Sequence, residues 1–175
     1  MTHYLIIPGL GNSGPEHWQT YFEQSGENFT RIEQTEWDAP DCRDWVETIH
    51  AALAPYDLSN VVLIGHSLGC TTIAHWSHQY QMAIKGAFLV APSDIEMPVY
   101  DFPATGFVPI PLRKLPFPSM VVASSDDPWV SLDRAKQFAD AWGSVFVNIG
   151  EAGHINAAAG YGPWEKGLEL LRQLG

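Results

Sequence analysis

The sequence predicts an α/β fold: a mostly parallel sheet of about six strands with helices on both faces. Three observations carry this expectation. Short apolar, β-branched runs such as Val61-Val62-Leu63-Ile64 recur along the chain, as in strands buried on both faces. Segments with helical apolar spacing, such as Trp45, Val46, Ile49 and Leu53, alternate with them. Mostly short loops join the two kinds, a pattern that builds right-handed βαβ units into three layers. The 175 residues suffice for one compact domain, 1–175, with one sizeable core.

Residues 3–7, His-Tyr-Leu-Ile-Ile, read as the first strand and run into a glycine-rich loop at 8–15. Pro15 suits the first position of a helix that continues from Glu16 to Phe22, with Trp18, Tyr21 and Phe22 on one side. The loop has neither a G-K-[ST] ending nor a full G-x-G-x-x-G, which argues against a nucleotide. Residues 29–34 alternate and read as an edge strand. Asp41 or Cys42 opens a helix that ends before Pro55. A strand from Asn60 breaks at Gly65, and beyond Gly69 a helix carries Thr71, Thr72, Ile73, Ala74 and Trp76.

Residues 86–90 read as the fourth strand. Residues 91–118 have no clear periodicity and carry seven of the thirteen prolines, with Tyr100, Phe102 and Phe107. So long a loop is functional or disordered, and its aromatics argue for order. It reads as a roof that shapes an apolar acyl- or alcohol-binding pocket. Residues 119–124 form the fifth strand, followed by a helix with Leu132, Ala135, Phe138, Ala139 and Trp142. Residues 145–149 form the sixth, and a last helix starts near Pro163 with Leu168, Leu170, Leu171 and Leu174.

The formal net charge of −11 argues against nucleic acid or an anionic membrane surface as a partner. No apolar run is long enough to span a membrane, and the first residues lack the features of a signal peptide. Cys42 and Cys70 are too few for a disulfide framework, and Cys70 reads as packed and reduced. His75 and His78 lie three apart on a helix, but no carboxylate or cysteine completes a metal set. The expectation is a cytoplasmic protein with a small-molecule substrate and no metal or cofactor. Nothing in the sequence bears on oligomeric state.

The central motif is Gly65-His66-Ser67-Leu68-Gly69, a G-x-S-x-G nucleophile elbow placed between strand and helix, as the motif requires. Its flanking glycines allow close approach, and the helix start offers free N–H groups to a developing negative charge. Asp126 and Asp127 follow the fifth strand and His154 follows the sixth. Residues just past the strands' C-terminal ends gather along one edge of a parallel sheet. A serine hydroxyl needs a base, and His154 is the histidine that follows the last strand. A carboxylate behind the imidazole fixes its tautomer. Asp127, preceding Pro128, is the better candidate, with Asp126 facing solvent or capping the next helix. The backbone N–H groups of Leu68 and Leu10 are the candidate oxyanion donors. Asn12, His17, His66, Tyr100, Phe102 and Phe107 are candidate substrate-binding residues.

The motifs Pro8-Gly9-Leu10-Gly11, His17-Trp18, the elbow itself, Leu115-Pro116-Phe117-Pro118, Ser124-Ser125-Asp126-Asp127-Pro128 and Gly153-His154-Ile155-Asn156 extend over nearly the whole chain. Together they resemble the small serine hydrolases of the retinoblastoma-binding protein 9 / YdeN family. The resemblance implies a compact α/β-hydrolase fold without a large cap domain, and a triad of Ser67, Asp127 and His154. The L-x-C-x-E motif linked to retinoblastoma-protein binding is absent, since Cys42 lies in Pro40-Asp41-Cys42-Arg43-Asp44. The expected activity is therefore hydrolysis of small carboxylic esters, with thioesters or amides as related substrates, through an acyl-serine. The alternative is a non-catalytic protein-interaction module on the same scaffold. A cofactor-free haloperoxidase- or lyase-like reaction is a third use of it.

Overall fold

A computed structural model of the chain describes residues 1–174. Among them, six strands form one sheet: β1 (His3–Ile7), β2 (Phe29–Arg31), β3 (Val61–His66), β4 (Gly86–Val90), β5 (Ser119–Ala123) and β6 (Val145–Asn148). All pairings are parallel, in the order β2-β1-β3-β4-β5-β6. Five helices accompany them: α1 (Trp18–Glu23), α2 (Cys42–Leu53), α3 (Leu68–Tyr80), α4 (Leu132–Trp142) and α5 (Glu165–Leu171). No helix of the described residues is long and apolar enough to cross a membrane.

The period of two along each strand sorts side chains into two cores. Leu5, Ile7, Leu63, Leu89 and Val121 pack on one face against α2, α3 and α4. Ile6, Val62, Ile64, Phe88 and Val122 pack on the other against α1 and α5. Strands buried on both faces need apolar residues along their length; β4 has them throughout, and β3 has them up to His66, its one polar residue.

The chain runs outward from β1 to β2, then returns to place β3 on β1's other side. The order reverses there, and ligands of open α/β sheets bind beside the strands' carboxyl ends at such a point. The loop after β1 and the turn after β3 meet at that crevice.

Several boundaries differ from expectation. β3 does not break at Gly65 but continues through His66, paired to Leu89 and Val90, so the turn falls on Ser67 itself. α1 begins at Trp18, not at Pro15, because the His17 ring accepts the Gln19 N–H and caps the helix. Its buried face is Trp18, Gln19 and Phe22, with Tyr21 turned toward Glu16. Buried Gln19 donates to the carbonyls of Ile7 and Ile64, closing the ends of β1 and β3. β2 is three residues long and lies at the sheet edge. Cys42 and Cys70 are free and buried, and burial pushes the Cys42 thiol up to about 12 and the Cys70 thiol well above its ordinary value.

Residues 91–118 contain no helix or strand, yet they are firmly tied down. Phe107, Ile110, Leu115 and Phe117 are buried among α2, α3 and α4. His75 Nε2 donates to the Phe107 carbonyl, Trp142 Nε1 to that of Pro111, and Ile110 N–H to Glu96. His75 is thereby half-buried and engaged, while His78 stays exposed.

Candidate active site

Ser67 stands between β3 and α3 with φ 54° and ψ −123°, a conformation rare for any residue with a side chain. The surroundings enforce it. A Cβ on Gly69 would come within 2.2 Å of the Ile7 carbonyl oxygen, so α3 starts hard against the end of β1. A Cβ on Gly65 would meet Ile73 Cδ1 at 2.9 Å. The flanking glycines therefore press the new helix onto β1 and β3, and the serine between them projects from the sheet's edge.

The Ser67 hydroxyl lies 2.8 Å from His154 Nε2. His154 Nδ1 lies 2.9 and 3.0 Å from the two Asp127 carboxylate oxygens. A carboxylate only accepts, so Nδ1 carries the proton and Nε2 presents a lone pair to Ser67. The Asp127 side chain is completely buried and that of His154 is 9% exposed. Asp127 also accepts the N–H of Trp129, which fixes the carboxylate's orientation.

The loop that delivers His154 is anchored at four consecutive residues. Asp126 Oδ1 accepts the N–H groups of Ala152 and Gly153, both at 2.8 Å. His66 Nε2 donates to the His154 carbonyl at 2.9 Å, and Trp18 Nε1 to that of Ile155 at 2.9 Å. Asp126 is exposed, as the sequence predicts, but it does not cap the next helix, whose N-cap is Ser131. Its carboxylate ties the β5 loop to the β6 loop, with the Ser124 hydroxyl also bound to it. The Ser124 hydroxyl and those two N–H groups hold the Asp126 carboxyl below its usual range.

Behind His154 lie two more histidines. The His66 ring is 4.9 Å from that of His154, and the His17 ring is 4.6 Å from that of His66. Burial, reinforced by Arg31 and His154, lowers His17 to about 4. Burial, reinforced by His154 and His17, pushes His66 well below the ordinary histidine value. Both are therefore neutral at pH 7.

A cavity of about 230 Å³ opens in front of Ser67, lined by Leu10, Ser67, Tyr100, Phe102, Trp129 and His154. Tyr100 and Phe102 thus stand where the sequence places them. The other four candidates do not line it. Phe107 is 1% exposed and packs on Trp45 and His75, since the roof folds its apolar residues into the α2–α4 core. Asn12 accepts from Arg31 and from Ser13 N–H. His17 and His66 are the stack behind His154. Trp129 also lines the cavity; it follows the aspartates in a loop without periodicity, and its place two residues from Asp127 is the signal in the sequence that points to it.

The N–H groups of Leu10 and Leu68 enter no hydrogen bond among the described residues. A Cβ on Gly9 would lie 2.9 Å from Ser67 Cβ and 3.2 Å from the Leu68 nitrogen, so the loop after β1 is packed directly against the elbow. Two free donors beside a serine are suited to an oxyanion. No group of three or more potential metal ligands occurs among the described residues.

A family model described as serine hydrolase matches residues 4–173. A solved structure of a YdeN-like hydrolase from Pectobacterium atrosepticum is 38% identical, with 99% of this chain and 90% of that chain covered and a TM-score of 0.88. The ydeN gene product of Bacillus subtilis is 20% identical over 99% and 98% of the two chains, at a TM-score of 0.84. MGS-MChE2, an α/β hydrolase enzyme from the metagenome of lagoon sediments, is 15% identical over 98% and 90%, at 0.73; that likeness is one of fold. No curated protein matches the chain.

Proposed function

This chain belongs to the serine hydrolase family, of the YdeN type, and on that premise we propose that it cleaves small carboxylic esters through an acyl-serine on Ser67. The observation that carries the reading is the unbroken line from Asp127 through both ring nitrogens of His154 to the Ser67 hydroxyl. In the proposed reaction Ser67 Oγ attacks the ester carbonyl carbon as its proton passes to His154 Nε2. The carbonyl oxygen becomes an oxyanion held by the Leu10 and Leu68 N–H groups, one such donor being worth about 3 kcal/mol. Asp127 stabilises the imidazolium. The tetrahedral intermediate collapses, the C–O bond to the alcohol breaks, and His154 gives its proton to the departing oxygen. A water then attacks the acyl-serine by the same route, releasing the acid and restoring the Ser67 hydroxyl. Thioesters and amides differ only in the leaving atom.

The test is labelling by a fluorophosphonate probe. The native chain should label, and Ser67→Ala and His154→Ala should not. A folded native chain that stays unlabelled would move the reading to an interaction module. That alternative draws on Val99, Val108 and Leu112, exposed on the roof at 63%, 57% and 42%.

A further inference from the structure

Tyr100, Phe102 and Trp129 form a three-ring wall opposite the Ser67–His154 pair. They come from two separate segments, the roof and the β5–α4 loop. Their centroids lie 4.8, 5.1 and 6.0 Å apart, all edge-to-face. The segments are joined where Asp94 N–H donates to the Trp129 carbonyl at 2.8 Å. Arg134 on α4 reaches both Asp94 and Glu96 at the base of the roof. The wall is thus fixed in place at both of its chain segments.

We propose, on the reading that Ser67 is acylated, that this wall restricts the substrate to a small, uncharged ester of about eight non-hydrogen atoms, the size of ethyl butyrate.

Size follows from volume. The cavity, open to solvent on one side, holds about 230 Å³ beside Ser67, and at roughly 30 Å³ per water-sized group that is room for about eight such groups against its walls. It lies below the roughly 300–1,000 Å³ of pockets for drug-sized ligands. Charge follows from the lining. No lysine or arginine borders the cavity. Arg134, the cation at the roof's base, is already paired with two carboxylates. An anionic substrate would be desolvated without a partner. No aspartate or glutamate borders the cavity either, so a cationic substrate would likewise lose water without a counter-charge. The Tyr100 hydroxyl is turned toward buried Ser93, and burial raises the phenol's pKa, with Ser93 acting in the opposite direction. The wall therefore shows the cavity mainly hydrocarbon.

The test uses two ester series followed by proton release: methyl alkanoates from acetate to octanoate, and acetates from methyl to octyl. Monoacid and trimethylammonium analogues of methyl butyrate complete the set. We expect kcat/KM to peak at four to five carbons in the varied chain in at least one series. It should fall at least tenfold by eight carbons in both, and at least tenfold for either charged analogue. Trp129→Ala should raise the octanoate-to-butyrate ratio at least tenfold, and Phe102→Ala, at a partly exposed position, should move it the same way. A rate that climbs steadily to eight carbons would overturn the proposal, as would a charged analogue matching the neutral ester. So would both variants slowing every ester equally. Each of these results, in a protein that labels with the fluorophosphonate, leaves the hydrolase reading standing; a chain that neither labels nor hydrolyses any ester overturns both.

Discussion

Asp126 Oδ1 accepts the backbone N–H of Gly153 at 2.8 Å, so the aspartate beside the one that pairs with the His154 ring holds the backbone that leads into His154. The two adjacent carboxylates divide the work. Asp127 faces the imidazole and sets its tautomer, while Asp126 fixes where the imidazole stands. A shift of the ring by about 1 Å can cost a hundredfold in rate.

Substitutions at the two positions should separate these roles. Asp127→Asn should lower kcat by about 10³–10⁴, because an amide favours the wrong tautomer. Asp126→Ala should lower kcat by roughly 10–100-fold by freeing the loop. Asp126→Asn retains an oxygen able to accept both N–H groups and should recover most of that loss. Steady-state kinetics on one short ester decides among these outcomes.

Acid should weaken the fold through the buried histidines. His17 is lowered from 6.5 to about 4 by burial, Arg31 and His154. Between those values the unfolded chain binds a proton that the folded chain does not. Stability is thus fully present above about pH 6.5 and is lost as pH falls toward 4. Between pH 7 and pH 5 this one group removes about 2 kcal/mol. His66, lowered in the same direction, adds to the loss. His17→Asn keeps an acceptor for the Gln19 N–H and removes the titration. Urea unfolding at the two pH values should show the difference shrinking by about 2 kcal/mol in that variant.

Phe107 belongs to the core rather than the pocket, and its replacement should show that. Phe107→Ala should destabilise the fold by about 3–5 kcal/mol. Among molecules that remain folded, the preference between short and long esters should stay as it is in the native chain. Denaturant midpoints and ester ratios, measured on the same preparation, check both halves.

The elbow's tight packing is testable at Gly69. Gly69→Ala would drive a Cβ to within 2.2 Å of the Ile7 carbonyl oxygen. No flexible side chain can yield there, because the obstacle is backbone. The expected result is loss of soluble folded protein, or a midpoint lowered by more than a core truncation causes.

The features legible in the sequence were those written locally. β1 and β4 were readable to the residue, because apolar runs bounded by proline, glycine and polar turns leave little choice of ends. Ser67, Asp127 and His154 could be placed because each lies in the loop or turn that leaves the C-terminal end of a strand, and a parallel sheet brings such positions to one edge. What stayed hidden depends on distant partners. Asp126 reveals its role only once Ala152 and Gly153 lie against it, 26 and 27 residues away. His66 reaches a carbonyl 88 residues on, and buried Gln19 one 45 residues on. Phe107 and Trp129 sit in aperiodic loops, where no spacing says which aromatic turns into the core and which toward the serine.

The most direct measurement is to mix the protein with methyl butyrate, quench in acid within the first turnovers, and map the adduct by peptide mass spectrometry. The account predicts a butyryl group on the peptide that contains Ser67, attached to that residue, and none in Ser67→Ala. A butyryl group on another side chain, or hydrolysis that survives in Ser67→Ala at the native rate, would contradict it.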